Sequence, residues 1–297
     1  MPNVSEFAHE LGQKILGSIY EGLYEECNKL FTGIFDCLNG QIANAAQTLQ
    51  QTPDVWSPSA YDTVKAIAEN AFVPIAAIFV ACILAWELVH LLQESNQMGG
   101  AILEKLIVLL CTCAICVFAV GHSFDIVMYF FRIGAEVSHK IAGTTVGTFG
   151  EGLSLGDMLE HTGDYTVGDV FNLVGIFILL FFGNLAVIVC SAIIYIRVVV
   201  WFLEFLIYAS AASIPNATWM SKEWSQVGMN YTRKMLAVAF EGPFMLLLFA
   251  IYGGIVSGVN LGGSFQHSFI MIIGCGFALV MMMFKVGNIT ASIFNAH

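Results

Sequence analysis

The chain has 297 residues, 58% of them hydrophobic and 11% charged. Soluble domains are typically about 25% charged, so an ordinary water-soluble globule is excluded. The net charge of −11, with only 11 Lys and Arg spread along the chain, leaves no basic cluster of the kind that gives affinity for a phosphate backbone.

Met1–Ala8 carries Glu6 and no Lys or Arg, so no signal peptide with a basic start is expected. Residues 1–58 read as an amphipathic, extramembrane helical region. Phe7, Leu11, Ile15, Ile19 and Leu23 form one apolar stripe and Phe31, Phe35, Leu38 and Ile42 a second, with helical periodicity. The polar face is acidic, whereas helices lying on a membrane are usually rich in Lys and Arg. Packing against protein, from its own chain or a neighbouring subunit, is therefore expected. Thr52–Pro58, with two prolines and Trp56, reads as a loop.

Residues 59–121 hold the first two spans. Ser59 and Asp62 approximate a capping box, and a helix to about Leu92 should kink at Pro74. The spans are expected at Ala71–Leu92 and Ala101–Val120. Residues 122–168 are rich in Gly and acidic residues and read as an extramembrane loop, with Phe124–Ile141 able to form a helix.

Residues 169–297 contain the remaining spans. Asp169–Ile214 lacks Pro and as one helix would be roughly 65–70 Å long, about twice a ~30 Å hydrocarbon core. Length favours two spans reversing near Ser191–Arg197. Charge favours a single crossing, because the preceding segment is acidic and Pro215–Lys234 carries Lys222, Arg233 and Lys234, and short basic loops tend to be cytoplasmic. Met235–Val256 and Phe269–Phe284 complete an all-α integral membrane protein of five or six transmembrane helices. The amino-terminal region is expected outside and the carboxyl terminus, after Lys285, in the cytoplasm.

Ionisable residues within spans are candidate functional positions. Glu87 and His90 share a helix face and are expected to hydrogen-bond. Arg197 and Glu204, two turns apart, either pair with other helices or line a wet path. Glu241-Gly242-Pro243 is expected to interrupt its span, with Glu241 near the cytoplasmic surface. Gly254, Gly258 and Gly262 have the spacing that allows close helix packing, although a flexible turn explains the later two equally well.

No catalytic, cofactor or metal set emerges. Cys111, Cys113 and Cys116 do not converge on a helix, and a zinc site needs four convergent ligands. Neither a Walker A sequence nor a Gly-x-Ser-x-Gly elbow is present. Six cysteines lie in apolar runs and read as packing residues; Cys27 and Cys37 either pair or remain free thiols.

The segments Ser210–Met220, Glu223–Arg233 and Ala237–Gly242 resemble the TrbL-like membrane subunits of type IV secretion systems, in the version found on conjugative elements of Gram-positive bacteria. Asn39–Trp56 and the ending Ser292–His297 are also similar. Glu241 departs from the pattern, which has an uncharged residue such as Gln there. The resemblance implies an inner-membrane channel component that assembles with secretion ATPases and other membrane subunits and helps pass protein-bound single-stranded DNA. It further implies an outward-facing loop after the second span. Lys222, Glu223, Trp224, Arg233 and Lys234 would then lie on a cytoplasmic partner face.

The expected function is thus a non-enzymatic, homo-oligomerising channel or scaffold subunit for conjugative DNA transfer. The alternative is a self-contained secondary transporter of a small solute, a class marked by internal repeats; none is evident here.

Overall fold

The computed structural model describes residues 4–95, 102–145, 155, 165–257 and 265–296, and among these every regular element is helical. Helix α1 (Val4–Leu49) is followed by the single turn α2 (Pro53–Trp56) and by α3 (Pro58–Ile67). A π-helical turn, Ala68–Phe72, leads into α4 (Val73–Ser95), and α5 (Ile102–Gly121) and α6 (Ser123–Thr145) come next. Then follow α7 (Val167–Ser210), the short α8 (Ser213–Ala217) with a 3-10 turn over Thr218–Met220, α9 (Ser225–Ser257) and α10 (Phe265–Ile293).

Among the described residues, five helical stretches are long and apolar enough to cross a membrane: Pro58–Gln93, Leu103–Gly121, Val167–Met220, Ser225–Val256 and Phe269–Ile293. The chain is an all-α, multi-pass membrane protein. Asp169–Ile214 does not reverse near Ser191–Arg197, because α7 runs unbroken through that point.

Two local expectations need correction. Thr52–Pro58 is not simply a loop but holds the turn α2, with Thr52 as its N-cap and Pro53 at its first position. Ser59 does not cap α3, which starts at Pro58 behind Ser57; proline suits a first turn because its missing N–H would have no partner there. The irregularity ahead of Pro74 is a full π-helical turn, which shifts the hydrogen-bond register where the proline cannot donate.

The chain divides into two compact units. The first comprises Met1–Ala46, Thr145–Ile196 and Leu248–Met283. Its buried residues include Phe31, Ile34, Leu38 and Ile42 of α1, Leu173 and Leu180 of α7, and Phe269 and Ile272 of α10. A Cβ added at Gly183 would meet the Phe269 ring at 2.5 Å, so that glycine is what lets α10 approach α7. Gln13 makes a reciprocal pair of hydrogen bonds with the Tyr165 backbone, at 3.2 and 3.0 Å. Cys27 and Cys37 are free thiols on one helix. Their ten-residue separation is roughly 15 Å of rise, far beyond the span of a disulfide.

The second unit comprises Gln47–Thr144, Arg197–Leu247 and Phe284–His297. Its aromatic centre gathers Phe131 of α6 against Trp201, Phe202 and Phe205 of α7, with Trp56 stacked on Phe202 at 4.5 Å. A second apolar cluster joins Ala76, Val80 and Ile83 of α4, Cys116 and Val120 of α5, and Ala217 and Met220. Helix α10 ends in a Schellman motif. Asn295 takes φ 50, Asn295 N–H donates to Ser292 O at 3.2 Å and Ala296 N–H to Ala291 O at 2.8 Å.

Candidate functional site

The polar centre of the second unit is an ion pair. Arg197 Nη2 on α7 donates to Glu241 Oε1 on α9, with side chains 9% and 2% exposed. Glu241 is thus buried inside the protein, and α9 passes through Glu241-Gly242-Pro243 without the expected interruption. Glu204, two turns from Arg197, is half-buried.

The surroundings explain why the pair fits and why α9 survives its proline. Pro243 has no N–H to offer the carbonyl of Ala239, four residues earlier. A Cβ added at Gly134 on α6 would collide with that carbonyl, so a glycine there brings α6 directly onto the exposed oxygen. One position earlier in α9, Val238 O accepts from Trp201 Nε1 at 2.7 Å. The Trp201 ring lies on Gly242, where a Cβ would meet it at 2.7 Å. On α10, Gly287 leaves room for the ion pair, since a Cβ there would stand 2.9 Å from Glu241 Oε1. Gly287 thus stands against the two charges, while Gly134, Gly242 and Trp201 pack the helix backbone beside them. Arg197 and Glu241 form a buried ion pair that ties α7 to α9.

The segment between α7 and α9 is a compact cap. Thr218 Oγ1 donates to Pro215 O at 2.7 Å and accepts from Gly228 N–H at 3.1 Å, which clamps the start of α9 onto α8. The Trp219 ring packs against Gly228 so closely that no Cβ fits there. Tyr231 Oη donates to Tyr208 O at 2.6 Å, and Lys234 Nζ stands 6.0 Å over the Tyr208 ring.

Glu87 meets this cap. Its Oε1 accepts from Lys222 N–H at 3.3 Å, whereas the exposed His90 lies against Trp86. The expected Glu87–His90 hydrogen bond is not present among the described residues. Lys222, Glu223 and Trp224 form one exposed run, but Arg233 and Lys234 are half-buried further along α9. Gly254 meets nothing within 4 Å of an added Cβ; Gly258 and Gly262 lie outside the described residues. Cys111 is exposed while Cys116 is buried in the α4–α5 cluster.

Sequence reasoning singled out Arg197 and Glu241 separately. It missed Gly134, Trp201 and Gly287, and named Gly242 only as part of an interruption; their roles depend on neighbours distant in sequence. The proline in an apolar helix was the one available signal that some other helix must meet the freed carbonyl.

A family model described as TrbL/VirB6 plasmid conjugal transfer like protein matches residues 38–213, more than half of the chain. The match includes the end of α1, α2 to α6 and all of α7 with Arg197, and stops at Ser213, the first residue of α8. No curated protein and no solved structure matches.

Proposed function

Because the chain belongs to the TrbL/VirB6-like conjugal transfer family and is a multi-pass component of a type IV secretion complex, we propose that it is a non-enzymatic channel or scaffold subunit acting as a homo-oligomer. The observation that carries this reading is the surface of α7. Phe171, Ile178, Phe182, Leu185, Tyr195, Leu203 and Ile207 are all between 48% and 73% exposed. From Phe171 to Ile207 the helix rises roughly 54 Å, while a bilayer supplies about 30 Å of hydrocarbon. Fitting that length would need a tilt of roughly 56°, beyond the usual range of about 0–40°. Lipid alone does not cover this face, and large exposed apolar surfaces mark interaction sites. The exposed Phe7, Leu11, Ile15 and Ile19 on α1 extend the argument to the amino-terminal helix.

In this reading the amino-terminal region lies outside, the carboxyl terminus is cytoplasmic, and Lys222, Glu223 and Trp224 face the secretion ATPases. Transferred single-stranded DNA with its bound protein is a transient partner. Purification in mild detergent tests the assembly. A ring, or a stable complex with a conjugation ATPase, is the expected result; a lone monomer that binds a small solute would overturn the reading in favour of a transporter. Glu204, half-buried on α7, is the residue we assign to a wet path. A Glu204→Cys variant should then label with a membrane-impermeant thiol reagent during active transfer, and complete protection would remove it from any path.

A further inference from the structure

The amino-terminal half of α1 carries an apolar strip that its own chain leaves open. Phe7, Leu11, Ile15 and Ile19 are each between 51% and 63% exposed, and four-residue steps keep them on one helix face over roughly 18 Å. The opposite face is held in place. Gln13 is bonded to the Tyr165 backbone, and the Tyr165 ring lies over Gly17 and 5.1 Å from the Tyr20 ring. Helices α1 and α7 run in the same direction, because Gly17 meets Tyr165, Cys27 Sγ donates to Leu173 O and Cys37 Sγ lies beside Ser191 Oγ. Residues before Gly17 therefore continue past the start of α7 at Val167, by roughly 15 Å at Phe7. The hydrocarbon that surrounds α7 ends short of them.

Charge selects the occupant. One edge of the strip carries Glu10, Lys14 and Glu21, which also line a groove of about 480 Å³ against Tyr165. Further along, Glu25 and Glu26 bind Lys29 at 3.1 and 2.9 Å, whereas the three edge charges have no ion-pair partner among the described residues. The other edge, Gly12, Leu16 and Leu23, is uncharged. Copies of the chain in one bilayer orient α1 alike, and parallel helices around a common axis set unlike edges side by side. A second copy would thus lay Glu10, Lys14 and Glu21 along the uncharged edge and leave them unpaired. We infer that the strip docks an amphipathic helix of a different protein, whose apolar face has a basic–acidic–basic edge that meets these three charges. This partner is additional to the copies of the proposed homo-oligomer.

Two synthetic peptides test the inference, bound to the full chain in phosphatidylcholine nanodiscs and read against empty nanodiscs. Both carry leucines at the spacing of the strip. One has a Lys-Glu-Lys edge and the other the Glu-Lys-Glu edge of α1 itself, each made in both sequence orders. The basic-edged peptide should bind about tenfold more tightly, with a preference that shrinks as salt rises. A Glu10→Lys/Lys14→Glu/Glu21→Lys variant should reverse the preference, and Leu11→Ser/Ile15→Ser should weaken both peptides. All five residues are exposed, so their replacement leaves the packing intact. Equal binding of the two peptides, a preference unchanged in the charge-reversed variant, or binding no greater than to empty nanodiscs would overturn the proposal. Tighter binding of the Glu-Lys-Glu peptide would equally overturn it, in favour of a second copy.

Discussion

At the scale of residues, Arg197 and Glu241 are each costly alone and tolerable together. Removing one partner of a buried pair leaves an uncompensated charge and typically costs about 3–5 kcal/mol, whereas replacing both by apolar residues is often neutral. Glu241→Leu and Arg197→Met should each lower the thermal unfolding midpoint in detergent. The double variant should unfold closer to wild type than either single variant, and strict additivity of the two losses would contradict the pairing. The Cys27 thiol illustrates burial on α1. Its residue is fully enclosed, and desolvation, reinforced by the nearby Glu26 carboxylate, pushes its pKa up from 9.0 to about 11. A raised value means the folded state holds the proton more tightly, so this contribution to stability is complete below pH 9 and lost as pH rises towards 11. In a variant with Cys27 as the lone cysteine, alkylation at neutral pH should require unfolding; rapid labelling of the folded protein would refute its burial.

At the scale of elements, glycines decide where helices meet. Gly228→Ala would force the Trp219 ring away from α9, and overpacking of this kind costs about 1–3 kcal/mol. Gly254→Ala, where an added Cβ meets nothing within 4 Å, should leave the unfolding midpoint unchanged. Comparing the two midpoints separates a packed glycine from an unpacked one, and equal losses would contradict the described cap. The apolar runs made the spans legible in the sequence, but they left open whether Asp169–Ile214 reversed near Ser191–Arg197. What stayed hidden were pairings across long separations. Arg197 and Glu241 are 44 positions apart, and Glu87 and the Lys222 backbone are 135 apart. A sequence reading therefore paired Glu87 with His90, one turn away, and took Pro243 as a break. It could not register that Gly134 comes to rest on the carbonyl that Pro243 leaves free.

At the scale of the whole molecule, the five candidate spans among the described residues carry a topological consequence. An odd number of crossings puts the two termini on opposite sides of the membrane. A fluorescent protein fused after the carboxyl terminus should fluoresce, and an alkaline phosphatase fused before α1 should be active. Both reporters acting on the same side would require an even count. The length of α7 bears on the second consequence, since its apolar surface outruns a hydrocarbon core of about 30 Å, which is the basis of the proposed assembly. The central claim is that this chain is a subunit of the apparatus that moves DNA between cells. A mating assay tests it most directly, using donors in which its reading frame is deleted and then restored in trans. Transfer should be lost on deletion and recovered with the wild-type chain, while nicking of the transferred DNA continues in the donor. Undiminished transfer from the deletion strain would contradict the account.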